Sequence, residues 1–202
     1  MSRFGATIFG VSGLRLTGDE VAFIKAANPF GFILFARNID TEDQVRALCD
    51  DLRAALGRDC LITIDQEGGR VQRLRAPHWR EWLPPLDFIA KAGSEAARAM
   101  YLRGRMIAAE LRAIGIDSNC APMLDIADAD THPFLRNRCY SDGPDQVAAL
   151  GLAHAEGLMT GGVVPVVKTR GRRLPSWLSG AVKRKAPSTS TVKLRSRLSG
   201  AV

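Results

Sequence analysis

The sequence predicts an α/β protein built on a parallel sheet, and three observations carry that prediction. Short apolar runs alternate with segments of helical period. The helical segments carry recognisable caps and stops. The runs are rich in Ile, Val, Leu and Phe throughout, as suits strands covered on both faces. A helix between each pair of strands, crossing over right-handed, builds a parallel sheet. A doubly wound sheet and a (β/α)8 barrel both begin this way. Five strands are legible in 202 residues, whereas a closed barrel has eight and about 250 residues.

The first run, Ala6–Val11, leads into a weak helix over Thr17–Ala27 that Asn28-Pro29 ends. The second run is Gly31–Phe35. Thr41 with Gln44 then makes a capping box, and Val45, Leu48, Leu52, Ala55 and Leu56 recur at helical spacing until Gly57. The third run, Cys60–Ile64, precedes a long helix from about Ser94 to Ile114. Ala97, Met100, Tyr101, Ile107, Leu111 and Ile114 form its stripe and Gly115 its stop. The fourth run is Ser118–Ile126. A helix from near Asp145 turns Val147, Leu150, His154 and Leu158 inward before Gly161-Gly162, and the fifth run is Val163–Val167.

From Thr169 the pattern stops. The chain carries 28 Lys and Arg against 21 Asp and Glu, a formal charge of +7. All 21 acids lie between Asp19 and Glu156 and nine of the bases lie beyond Lys168, so residues 1–168 sum to −2 (19 bases, 21 acids) and the remainder to +9. Arg173–Val182 and Lys193–Val202 share seven of ten positions, too few copies for a repeat architecture. The expected division is therefore 1–168 as a partial barrel-like unit and 169–202 as a basic low-complexity tail, disordered or frameshift-derived. Such a tail admits a second reading, a non-catalytic half-barrel binding nucleic acid non-specifically. The abrupt change of composition at one junction speaks against nucleic acid as the partner. A third reading pairs two half-barrels across their open strand edges.

Other classes are excluded on composition. There is no apolar run of about 18 residues to span a membrane, and the N-terminus has no apolar core of a signal peptide. Cys49, Cys60, Cys120 and Cys139 are dispersed without a C-x-x-C pair. Reduced thiols in a cytoplasm are expected, and neither a zinc cage nor a disulfide framework is.

Chemistry concentrates in Asp65-Gln66-Glu67-Gly68-Gly69-Arg70-Val71-Gln72-Arg73, directly after the third run. C-terminal strand ends build the sites of parallel α/β folds. A carboxylate there can accept two sugar hydroxyls, a glycine pair lets backbone approach a ligand, and Arg70 and Arg73 supply planar donors. The plain alternative is a tight, charged surface turn.

Four further segments accompany this one: Gly31-Phe32-Ile33-Leu34-Phe35-Ala36-Arg37-Asn38, Asn119-Cys120-Ala121-Pro122-Met123-Leu124-Asp125-Ile126, Arg138-Cys139-Tyr140 and Pro165-Val166-Val167-Lys168. In this order they resemble the motifs of glycoside hydrolase family 3, and within it the bacterial β-N-acetylhexosaminidases of peptidoglycan recycling. The resemblance implies a TIM (β/α)8 barrel, here truncated to about five βα units. It also implies retaining hydrolysis of terminal N-acetylglucosamine from muropeptides, without metal or organic cofactor. It assigns Asp65 to ring hydroxyls and Arg73, Arg138 and Lys168 to the same subsite. The family continues with a histidine after the lysine, a P-G-H-G loop bearing the acid/base pair, and a later nucleophilic aspartate. Here Thr169-Arg170-Gly171 follows Lys168, and no residue matches either role. The chain is thus expected to bind without turnover. His78 and His132 read as loop surface and His154 as helix packing; Asp125, Asp128 and Asp130 lack the spacing of a calcium loop.

Overall fold

The protein is described by a computed structural model over residues 4–169. Residues 1–3 and 170–202 lie outside the described residues, and with them the expectations placed on the basic tail.

Five strands form one parallel sheet in the order β1–β2–β3–β6–β7: β1 Gly5–Phe9, β2 Pro29–Leu34, β3 Leu61–Ile64, β6 Ser118–Asn119 and β7 Val164–Pro165. Between them run α1 Gly18–Ala27, α2 Glu42–Leu56, the hairpin β4 Gln66–Gly68 and β5 Val71–Gln72, then α3 Pro85–Ala92 and α4 Ala96–Ala113. A short helix α5 Pro133–Arg136 and α6 Pro144–Thr160 complete the order. All five anticipated strands are present, in sequence order across the sheet.

Central strands and edges differ. Phe32, Leu34, Ile62 and Ile64 of β2 and β3 are fully buried against Val45, Leu48 and Leu52 of α2 and Ile107 and Leu111 of α4. Each such side chain stabilises the fold by about 1.5–3 kcal/mol. Strands β1 and β7 form the two edges, and Ile8 and Val164 are exposed there. The expectation of strands covered on both faces therefore holds in the middle of the sheet and fails at its margins.

The helix starts follow their caps. Thr17 and Glu20 form a reciprocal capping box on α1, and Gly57 ends α2 in the left-handed conformation; at the start of α2 Thr41 accepts from the Gln44 amide, but the expected box is not closed, because Gln44 Oε1 accepts from the Asp40 N–H instead of that of Thr41. Two boundaries shift. The run Ser118–Ile126 pairs as a strand only over Ser118–Asn119, because Pro122 has no N–H to give a ladder. It still tracks the last strand through Lys168 N–H to Pro122 O and Leu124 N–H to Lys168 O, both 2.9 Å. The long helix begins at Ala96 rather than Ser94, after a separate helix, α3, which Pro84-Pro85 opens.

Behind the sheet, α4 and α6 pack face to face through glycines. A Cβ on Gly104 would stand 2.5 Å from the His154 carbonyl oxygen, and one on Gly157 would strike the Tyr101 carbonyl. That close approach fixes the position of α6 and of the loop leading into it. At the front, Asn38 is fully buried, donating to Val11 O at 3.1 Å and Gly13 O at 2.8 Å and accepting from the Phe35 amide at 2.9 Å. The loops after β1 and β2 are thereby tied together.

Candidate functional site

The chain turns directly out of β3 at Asp65 into the β4–β5 hairpin, which lies at the C-terminal end of the sheet. The hairpin is pinned on both sides. Asn119 of β6 exchanges two hydrogen bonds with the Gln66 backbone, each 3.0 Å. The Gln66 side chain accepts from the amides of Arg73 at 3.0 Å and Leu74 at 3.1 Å. Gly68 and Gly69 turn with φ of 112° and 58°, and Gly69 sits against Pro84 where a Cβ would not fit. Asp65, Gln66, Glu67 and Gln72 are all buried, so the segment is not a surface turn.

From behind, Arg103 of α4 holds the hairpin. Only 1% exposed, it donates to Glu67 O at 2.5 Å and Leu83 O at 2.8 Å and lies over the rings of Trp82 and Phe88. Burial lowers its pKa to about 10. Nothing in the sequence singled it out; its place on the inward stripe of a helix looked apolar.

Four residues expected to share a subsite come together, with a fifth between them. Arg73 Nη2 donates to Asp65 Oδ2 at 2.8 Å, and Lys168 Nζ reaches Asp65 Oδ1 and, at 3.1 Å, Glu67 Oε1. Arg138 grips Glu67 with two parallel bonds, Nε to Oε2 at 2.9 Å and Nη2 to Oε1 at 2.7 Å. The result is a row of alternating charge: Arg73, Asp65, Lys168, Glu67, Arg138. Glu67 is the member missed from sequence. Residues two apart on an extended segment share a face, so the D-x-E spacing after β3 was the available signal.

Burial opposes ionisation of Asp65, yet the hydrogen bond and charge of Lys168, aided by Arg73, hold its carboxyl below the ordinary value. Lys168 is likewise opposed by burial and raised by the Asp65 hydrogen bond and the Glu67 charge. For Arg138 the Glu67 hydrogen bond outweighs burial and raises it. Asp65, Lys168 and Arg138 are each held in their charged forms by these contacts. The cations of the row are not sealed in: the side chains of Arg73, Arg138 and Lys168 keep 24, 17 and 27% of their surface exposed. A neutral ligand rich in hydroxyl groups meets fixed acceptors and donors here, with little reorganisation.

The other candidates fall elsewhere. Arg70 makes no bond to Asp65; its guanidinium carbon lies 3.0 Å from the centre of the Phe134 ring. His132 accepts from the Phe134 amide at the start of α5, His78 is exposed beside Trp79, and His154 is fully buried with Nδ1 2.6 Å from the Tyr140 hydroxyl. Cys49, Cys60, Cys120 and Cys139 are free and buried, and burial raises each thiol pKa. Among the described residues, no three His, Cys, Asp or Glu side chains are grouped to hold a metal ion, and no helix is long and apolar enough to cross a membrane.

A parallel β/α sheet with a charged cluster at its C-terminal end has the plan of a barrel enzyme. Residues 8–169 match the N-terminal domain of glycosyl hydrolase family 3, and the chain belongs to that family. A beta-hexosaminidase of Methylococcus capsulatus is 38% identical over 162 residues, covering 80% of this chain and 47% of its own. One from Pseudomonas aeruginosa is 34% identical over 164 residues, covering 81% and 48%. The crystal structure of NagZ from Neisseria gonorrhoeae superposes with a TM-score of 0.76 at 31% identity, covering 84% of this chain and 50% of that one. The described residues are thus part of a TIM-barrel-like fold, and the chain spans about half the length of the relatives it matches.

Proposed function

We propose that residues 1–168 form a partial barrel carrying the terminal-sugar subsite of a cytoplasmic β-N-acetylhexosaminidase. The substrate class is N-acetylglucosamine at the non-reducing end of muropeptides. The single observation that carries this reading is the hydrogen-bonded row Arg73–Asp65–Lys168–Glu67–Arg138 at the C-terminal end of the sheet. A related NagZ has been crystallised with N-trifluoroacetyl-D-glucosamine, which supports the same sugar here. Four buried, unpaired thiols suit a reducing compartment.

In this reading Asp65 accepts hydrogen bonds from adjacent ring hydroxyls while Arg73 and Lys168 hold its carboxylate in place and donate to the same hydroxyl oxygens. Arg138 acts on the ligand beside Glu67. Retaining hydrolysis needs a nucleophile and an acid/base group near the anomeric carbon. The resemblance matches no residue of the 202 to either role, so binding of the sugar without turnover is the behaviour expected of this chain.

Titration calorimetry of the 202-residue chain with N-acetylglucosamine is the test, beside hydrolysis of 4-nitrophenyl N-acetyl-β-D-glucosaminide. Binding lost in Asp65→Ala, with release of nitrophenol no faster than in buffer, is expected. Absence of binding by the wild-type chain would overturn the subsite, and turnover abolished by Asp65→Ala would overturn its inactivity.

A further inference from the structure

A cavity of about 280 Å³ opens among the loops at the C-terminal end of the sheet, between the segment that follows β2 and the segment that leaves β5. That volume is at the small end for ligand cavities, room for one small molecule. Arg73 lines it, whereas Asp65, Glu67, Lys168 and Arg138 do not. The cavity therefore meets the row only at its Arg73 end. Its other polar side chains are Asp40, Arg75 and His78.

The walls are held from outside the cavity. Arg73 is fixed by Nη2 to Asp65 Oδ2 at 2.8 Å and by its backbone N–H to Gln66 Oε1 at 3.0 Å. Arg75 spans Glu81 Oε2 at 3.1 Å and the Gly69 carbonyl at 3.0 Å. Trp79 is buried, and its backbone N–H donates to Arg75 O at 3.1 Å. Asp40 is placed by its N–H on Gln44 Oε1 at 2.9 Å, and among the described residues none gives a hydrogen bond or ion pair to its carboxylate.

Both signs of charge line this space, and that decides the ligand. The charge of Arg73 is met by Asp65 and that of Arg75 by Glu81, so little remains to attract an anion, and Asp40 repels one. A cation would meet two guanidinium groups. A neutral molecule rich in hydroxyls brings donors for Asp40 and acceptors for the N–H groups of Arg75 and His78. Pro77 and Trp79 add apolar surface that suits the C–H face of a sugar ring.

We propose that this cavity is a second saccharide site, taking one neutral pyranose ring, with the Asp40 carboxylate as its principal acceptor. It is separate from the subsite of Asp65 and does not rest on it. Arg73 is the one side chain common to both.

The test follows the Trp79 indole N–H resonance of the full chain, assigned by its loss in Trp79→Phe, during titration with N-acetylglucosamine and, separately, with inorganic phosphate. A saturable shift with the sugar is expected in the wild type. It should persist in Asp65→Asn, which keeps an acceptor for Arg73, and so report a site distinct from that of Asp65. In Asp40→Ala the affinity read at Trp79 should fall about tenfold, the worth of one hydrogen bond to a charged group, while any binding that depends on Asp65 is unchanged. A Trp79 resonance unmoved by the sugar, a shift lost in Asp65→Asn, or one indifferent to Asp40→Ala overturns the proposal. A saturable response to phosphate stronger than that to the sugar overturns it too, by making the cavity an anion site. If the Asp65 subsite fails its own test, the Trp79 shift still decides this one.

Discussion

His154 makes the stability of the described fold depend on acid, and the size of the effect follows from its surroundings. The ring is fully buried on α6, and its Nδ1 lies 2.6 Å from the Tyr140 hydroxyl. Tyr140 already accepts the Met123 N–H, so its own proton goes to Nδ1 and the neutral ring carries hydrogen on Nε2. Protonating Nδ1 removes the acceptor that Tyr140 needs. Burial, helped by the nearby Arg103 charge, lowers the His154 pKa from 6.5 to about 3. In the unfolded chain the imidazole takes up its proton near the ordinary value; in the fold it resists until about pH 3. Between those limits the unfolded state holds the extra proton, so stability falls as pH falls. Well below the unfolded pKa each pH unit costs about 1.4 kcal/mol, and the loss between pH 6.5 and 4.5 is about 2.3 kcal/mol.

Urea unfolding, followed by circular dichroism at half-unit steps from pH 7 to 4.5, measures this. His154→Gln keeps an acceptor for Tyr140 and removes the titration. The variant should start less stable at pH 7, and its curve should converge on that of the wild type as the solution is acidified. Parallel curves across this range would refute the argument, because they would mean that His154 adds no protons on unfolding. Because the folded ring stays neutral down to about pH 3, the Tyr140–His154 bond persists across this range, and the effect is on the stability of the fold rather than on the geometry of the site.

Two substitutions probe the hairpin. Glu67→Gln leaves Arg138 and Lys168 without one carboxylate; since both cations keep some contact with solvent, a loss of about 2–4 kcal/mol in urea unfolding is expected rather than the full cost of a buried pair. A change below about 0.5 kcal/mol would show that the pair contributes little. Gly68→Ala forces a side chain onto a backbone with φ of 112° and drives its Cβ into Arg103 Nη2, with the Leu83 carbonyl oxygen 2.7 Å away. It should cost more than about 2 kcal/mol and release Arg103 from Glu67. A shift of less than about 3 °C in the thermal midpoint would contradict that placement.

The strands were legible because the central ones carry fully buried apolar side chains, Phe32, Leu34, Ile62 and Ile64, on the face toward the helices, while Gly31 and Thr63 are buried on the other. Helix limits followed where a side chain does the capping, as at Thr41, and slipped where backbone geometry decides, as at Gly93–Glu95 between α3 and α4. The β4–β5 hairpin was hidden: it is held by Gln66, Gln72 and Asn119, polar side chains buried only because each satisfies a particular backbone group. Hydrophobic period is blind to such residues. Likewise Arg103 and Glu67 are buried ions whose partners lie 36 and 71 residues away. The motif residues Asp65, Arg73, Arg138 and Lys168 were reached through resemblance, and only the geometry joins them into one row.

That row explains why charged groups can suit a neutral ligand. An unpaired carboxylate at the depth of Asp65 would take up a proton or a counterion, and a sugar would have to displace it. Here each carboxylate already holds two cations, so its remaining lone pairs stay available and point in fixed directions. Assembly of the row then depends on the end of the sheet. Lys168 is the bridge between Asp65 and Glu67, and it is positioned by two backbone bonds to the 122–124 segment beside the edge strand β7. Loosening that edge would separate the two carboxylates from their shared cation and leave two pairs, Arg73–Asp65 and Arg138–Glu67, free to move independently. Affinity for a sugar should therefore track the order of the last described strand more closely than the stability of the core formed by β2, β3 and α2.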